Sequence, residues 1–162
     1  MVRFLDRKEY SSTFDLALNC FHDRDFLEDF YSDDIYSCAV AVNEVDGAVV
    51  SMAMVKRVLL RYKNKVVESS YIFMVCTSPE MRHRGYMDDT ILFICEKIAT
   101  QTVFLIPVDP QIYKHLGFIY FWRFNEDERD MLYADDGLDM CYMKVMDSVE
   151  FEKPDGILQI LP

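Results

Sequence analysis

From Asp6 to Asp33 the apolar positions recur at helical spacing, first Phe14, Leu18 and Phe21, then Phe26, Leu27 and Phe30, with charged residues between them. That pattern predicts amphipathic helix. The period then changes. Ile35 to Val42 is β-branched and aromatic, a strand composition, and Asp46-Gly47 is the dipeptide of a tight hairpin. Ala48 to Leu60 supplies the second arm, Arg61 to Lys65 a polar turn, and Val66 to Cys76 the next strand. These three runs predict an antiparallel meander. Within the last, Tyr71 to Cys76 is apolar without alternation, as in a central strand covered on both faces.

Further on, Ile91, Ile94, Cys95 and Ile98, flanked by Leu92 and Ala99, predict a helix over Met87 to Thr100. Val103 to Ile106 reads as a short buried strand stopped by Pro107. Asp109 is suited to cap a helix that starts at Pro110 and runs to Leu116, with Gly117 as its left-handed terminator. Phe118 to Phe124 is an aromatic strand, Asn125 to Asp136 a charged excursion, and Leu138 to Met146 the last predicted strand. An exposed late strand of this kind offers an edge for dimerisation. The segment Glu150 to Pro162 yields no assignment.

No internal repeat and no Pro/Gly-rich linker divides the chain, so residues 1–162 are expected to form a single domain. A chain of 162 residues that is 51% apolar has the material for a substantial core. No apolar run is long enough to predict a membrane span, and Arg3, Asp6 and Arg7 place charge too early for a signal peptide. The five cysteines are scattered with no C-x-x-C pair, which fits reduced thiols in a cytoplasmic protein and no metal site. A formal charge of −11 argues against nucleic acid as a partner and favours cationic ones such as amines.

Against that acidic background, Val75 to Met87 is chemically distinctive. A strand runs into the basic turn Arg82-His83-Arg84-Gly85 and directly onto a helix N-terminus. The first amides of a helix have no carbonyl partner, and the helix dipole adds positive potential there. Gly85 lets backbone approach a phosphate without an intervening side chain. The ligand this predicts is a phosphorylated cofactor.

Two motifs and the order of elements resemble the GNAT superfamily of acyl-CoA-dependent N-acetyltransferases. Arg82-His83-Arg84-Gly85-Tyr86-Met87 resembles the acyl-CoA turn [Q/R]-x-x-G-x-[G/A] in all but its last position, and Tyr113-Lys114-His115-Leu116-Gly117-Phe118 matches the Y-x-x-x-G-F signature. The similarity spans roughly Ile35 to Phe124. It implies a mixed, mostly antiparallel central sheet flanked by helices, an α/β fold with a V-shaped splay between the fourth and fifth strands. It also implies acetyl-CoA as co-substrate, a primary amine as acceptor, no metal, and a monomer or homodimer.

By that resemblance, the amides of Arg82, His83, Arg84, Gly85, Tyr86, Met87 and Asp88 would hold the pyrophosphate. Val75, Cys76 and Thr77 would pair with the pantetheine like an added strand. A strand amide there would stabilise the oxyanion, and Tyr113 would protonate the departing thiolate. The proton of the amine needs an acceptor, directly or through water. Glu68, on the strand leading into the turn, is the candidate, with Glu44 and Glu80 the other carboxylates near in sequence. None of them aligns with the family's glutamate, whose place falls at Tyr71 or Ser70.

His83 stands where the family commonly has glycine, Met87 where it has Gly or Ala. Asp88 and Asp89 suit the helix dipole but oppose a diphosphate by roughly 1 kcal/mol each. A competing expectation is therefore a GNAT-fold module that binds a ligand or partner with weak or no catalysis.

Overall fold

Asp46 and Gly47 take φ of 51° and 80°, the left-handed pair of a tight hairpin turn, and the chain reverses there as the sequence predicts. The structure, a computed structural model, describes residues 1–62, 65–100, 102–124, 132, 140–145 and 156–160. Among them run strands β1 (Val2–Phe4), β2 (Ala39–Val45), β3 (Ala48–Tyr62), β4 (Lys65–Thr77), β5 (Thr102–Leu105), β6 (Ile119–Arg123), β7 (Met140–Val145) and β8 (Gly156–Ile160). The α-helices are α1 (Phe14–Phe21), α2 (Arg24–Ser32), α3 (Tyr86–Lys97) and α4 (Gln111–Lys114). The pairs β1–β2, β2–β3, β3–β8, β5–β7 and β6–β7 are antiparallel, and β4–β5 is parallel. This is a mixed α/β fold with a mostly antiparallel sheet flanked by helices. Its packing separates two units, Met1–Val55 with Met74–Lys97, and Lys56–Phe73 with Ile98–Pro162.

In the first unit the strand order is β1-β2-β3. Val40, Ala41 and Val42 are all fully buried, so successive side chains on opposite faces of β2 are both covered. α3 packs on β1 and β2, with Phe93 against Phe4 at 5.2 Å between ring centroids. Each buried side chain such as Leu27, Phe30, Ile91 and Ile94 contributes roughly 1.5–3 kcal/mol over its exposed state.

The predicted helical stretch is broken into pieces for local reasons. A 3-10 helix over Arg7–Thr13 precedes α1, which ends at His22 with φ of 61°. α2 then restarts at Asp23, whose carboxylate accepts from the Phe26 amide at 3.0 Å, satisfying an otherwise unmet donor.

The strand predicted from Ile35 begins only at Ala39. Asp34–Ser37 is a 3-10 turn, in which the Ser37 hydroxyl and the Cys38 thiol both donate to the Asp34 carbonyl, at 2.7 and 3.7 Å. Side-chain bonds to nearby backbone offered an alternative to the ladder and outweighed β propensity. Ile35 is still fully buried.

The second unit holds the order β3-β4-β5-β7-β6, with β8 on β3. The parallel register consists of Ser70 with Val103 and Tyr71 with Phe104. Buried hydroxyls hold it: Ser69 donates to the Thr102 carbonyl at 3.1 Å, Thr102 to the Ser69 hydroxyl at 2.7 Å, and Ser70 pairs with Thr100 at 2.7 Å. Phe73, Tyr71 and Phe104 form a continuous stack, with centroids 5.1 and 5.0 Å apart. The Tyr71 hydroxyl donates to the carbonyl of Leu132.

The last predicted strand is present as β7, but it is not an edge. Both its sides are paired, with β5 and with β6, so its backbone groups are satisfied and it offers no row of donors for a second copy. The sequence read nothing into Glu150 to Pro162, yet β8 pairs with Val58–Arg61 of β3 there. The charged excursion Asn125 to Asp136 lies, Leu132 apart, outside the described residues. Among the described residues no helix is long and apolar enough to cross a membrane.

Candidate active site

The end of β4 is pinned by the strand beside it. The Ser51 hydroxyl donates to the Cys76 carbonyl at 3.2 Å and pairs with the Thr77 hydroxyl at 2.9 Å, and the Ser78 amide donates to the Val50 carbonyl at 2.8 Å. Ser51 is fully buried, so these bonds are shielded from water. Upstream, Met74 has φ of 50° in the middle of the strand. A non-glycine residue there costs on the order of 1–3 kcal/mol and persists only where its surroundings hold it.

After Thr77 the chain makes a 3-10 turn over Pro79–Met81. The Ser78 hydroxyl donates to the Glu80 carboxylate, which lowers the Glu80 pKa. Arg82 is extended and donates from Nε to the Thr77 carbonyl at 3.1 Å. His83 and Gly85 follow at φ of 59° and 83°. Nothing lies within 4 Å of where a Gly85 Cβ would stand, so the glycine is required there by its backbone conformation and leaves open space above it. The ladder of α3 starts at Asp89, whose amide donates to the Gly85 carbonyl at 3.0 Å. The amides of Tyr86 and Met87 lie ahead of that first bond, at the positive end of the helix. Arg84 is exposed, Asp88 half-buried and Asp89 exposed. The sequence-predicted turn therefore forms, with Val75, Cys76, Thr77 and Arg82 to Asp88 in one unit.

Tyr113 and Glu68 belong to the other unit. Tyr113 lies on α4 and is half-buried, its ring edge-on to Phe118 with centroids 6.2 Å apart. Its carbonyl accepts from the amides of Leu116 at 3.1 Å and Phe118 at 3.4 Å. Asp109 accepts from the Gln111 amide at 3.0 Å, but the helix starts at Gln111 with Pro110 at its N-cap, one residue later than the sequence predicts. Gly117 has φ of 91° and ends the helical turn. The Y-x-x-x-G-F spacing thus closes a loop in which the Phe118 amide returns to the Tyr113 carbonyl. Glu68 is ion-paired, its Oε1 3.3 Å from Arg57 Nη1, with both side chains partly exposed.

Three features escaped the sequence. Met74's conformation has no residue-type signal, since a methionine does not announce a positive φ. Ser51 carries no motif and is placed by strand register. Cys20, on α1, brings its thiol to 3.6 Å from the Thr77 carbonyl across a separation of 57 residues. Among the described residues no group of three or more His, Cys, Asp and Glu side chains is placed to hold a metal ion.

A mixed sheet with one parallel pair carries a basic glycine turn that leads from strand to helix. A family model described as an acetyltransferase (GNAT) domain matches residues 1–121; the chain belongs to the GNAT family. No curated protein matches the sequence. Among solved structures, a conserved Enterococcus faecalis protein described as a probable N-acyltransferase is similar with TM-score 0.67 and 18% identity, over 76% of this chain and 33% of that one. A GNAT-family acetyltransferase from Bacillus cereus has TM-score 0.65 and 11% identity, covering 90% of this chain and 96% of the other. A ribosomal-protein-alanine N-acetyltransferase from Brucella melitensis has TM-score 0.59 and 14% identity, over 75% and 94%. The chain spans about a third of the length of the Enterococcus protein. At these identities the likeness is one of fold.

Proposed function

We propose that the protein transfers an acetyl group from acetyl-CoA to a primary amine by direct attack. The observation that carries the reading is the turn from Arg82 to Met87. There His83 and Gly85, at φ of 59° and 83°, bring the chain onto the N-terminus of α3 in a member of a family named for this chemistry. In this reading the turn amides and Arg84 hold the diphosphate, and Val75, Cys76 and Thr77 align the pantetheine. The neutral amine attacks the thioester carbon. The tetrahedral intermediate then breaks its C–S bond, and Tyr113 gives its proton to the departing thiolate. The amine's surplus proton passes to water or to Glu68. A net charge of −11 and a cysteine content suited to a reducing cytoplasm support a cationic acceptor met in that compartment.

The aspartates in the first turn of α3 favour one competing reading, a GNAT-fold module that binds ligand weakly and does not turn over. A thermal-shift titration with millimolar acetyl-CoA separates the two, because a ligand of the native state raises its stability by mass action. The proposal expects a rise in Tm and release of free coenzyme A with at least one amine from a panel of polyamines, aminoglycosides and peptide N-termini. A flat titration overturns it.

A further inference from the structure

Helix α1 carries Cys20 one residue before its end, and there the thiol meets the end of β4. Cys20 Sγ donates to the Thr77 carbonyl at 3.6 Å. The neighbouring residue on that strand is Cys76, whose thiol lies close enough to interact with that of Cys20. Arg82 donates from Nε to the same Thr77 carbonyl at 3.1 Å, which places its guanidinium beside the pair. All of these groups lie in the first unit.

The two sulfurs are unequal in ways that chemistry can use. Cys20 is half-buried and Cys76 is buried, so an incoming reagent meets Cys20 first. The Cys76 thiol and the charge of Arg82 lower the Cys20 thiol to about 6, against an ordinary value of 9.0. Cys76 is held well above its ordinary value by the Cys20 sulfur and by burial. Of the two, the more accessible Cys20 thiol is therefore the readier to lose its proton. Cys38 and Cys95 are both buried, and Cys38 donates to the Asp34 carbonyl at 3.7 Å.

We propose that Cys20 and Cys76 form an oxidisable dithiol, in which Cys20 reacts with a hydroperoxide and Cys76 resolves the product to a Cys20–Cys76 disulfide. In the first step the Cys20 thiolate takes one oxygen from the peroxide. The O–O bond breaks, the second oxygen leaves as hydroxide or alkoxide and is protonated to water or alcohol, and Cys20 becomes a sulfenic acid. In the second step the Cys76 sulfur attacks the Cys20 sulfur. The S–O bond breaks, an S–S bond forms, and the departing hydroxyl takes the Cys76 proton to give a second water. The two thiols lose two electrons in total and the peroxide gains them. The resulting bond links α1 to β4 beside Thr77 and Arg82. The inference rests on the thiol pair and stands apart from the acetyl-transfer reading.

The test uses the full chain treated with one equivalent of hydrogen peroxide, alkylated and mapped by mass spectrometry. The expected result is loss of two hydrogens and a peptide pair joining Cys20 to Cys76, reversed by dithiothreitol. In Cys76→Ser, Cys20 should stop at the sulfenic acid and be trapped by dimedone. Cys20→Ser should give neither disulfide nor dimedone adduct. The wild-type map alone is decisive should either variant fail to fold. A disulfide joining other cysteines, or five alkylatable thiols after peroxide treatment, overturns the proposal, as does dimedone labelling of Cys20→Ser equal to that of Cys76→Ser.

Discussion

Arg82 and Thr77 are joined by a charge-assisted hydrogen bond, Nε to carbonyl oxygen at 3.1 Å, which ties the first basic residue of the turn back to the strand it follows. Arg82 thereby fixes the shape of the loop, whereas Arg84 is exposed beside it and contributes chiefly charge. Arg82 is itself exposed, so solvent screens this bond and its weight lies in loop geometry more than in stability. Arg82→Leu is expected to weaken acetyl-CoA binding by about tenfold or more. Arg84→Glu should weaken acetyl-CoA while leaving amine KM unchanged. Calorimetry and steady-state kinetics measure both, and equal losses for cofactor and amine in Arg84→Glu would contradict the assignment of the turn.

Tyr113→Phe keeps the ring against Phe118 and deletes only the hydroxyl. Loss of a general acid costs typically 10²–10⁴ in rate. The expected outcome is a fall of about that size in kcat with unchanged acetyl-CoA affinity. Full turnover in the variant would remove the acid role.

Gly117 and His83 share the left-handed region, at φ of 91° and 59°, and predict opposite signs. A Cβ at Gly117 would stand 3.6 Å from Lys144 Cε, an ordinary contact, so Gly117→Ala is penalised by its backbone alone, by about 1–2 kcal/mol. His83→Gly relieves the corresponding strain on an exposed loop and should gain about 1 kcal/mol. Urea denaturation reads both. A destabilising His83→Gly would show that the imidazole makes contacts worth more than the strain.

Acid stability should depend on the pairing of Arg3 with Glu9 and Glu44, at 2.9 Å to each. The Arg3 hydrogen bond and then the bond from the Asp6 amide lower Glu9 from 4.5 to about 2; Arg3 likewise lowers Glu44. A carboxylate whose folded pKa is depressed contributes stability that is present above its unfolded value. For Glu9 that contribution is complete above pH 4.5 and is lost as pH falls through about 2. Arg3→Met should flatten the stability curve across that window, measured by chemical denaturation at stepped pH. An unchanged slope would show that the network contributes nothing in solution.

Short-range features of this protein are written in neighbouring residues. Asp46-Gly47 specifies its hairpin because both residues tolerate the left-handed backbone. Gly85 and Gly117 mark their turns for the same reason, and the spacing from Tyr113 to Phe118 closes a loop on itself. The GNAT family, the basic glycine turn and the hairpin arms were legible for that reason. Long-range placements depended on which strands meet. β7 sits between β5 and β6, β8 pairs with β3, and Ser51 lies under Thr77, since register across a sheet is chosen by total burial and hydrogen-bond satisfaction. Cys20 and Cys76 read in the sequence as unrelated buried thiols, and only the packing of α1 against the end of β4 brought their sulfurs together beside Arg82.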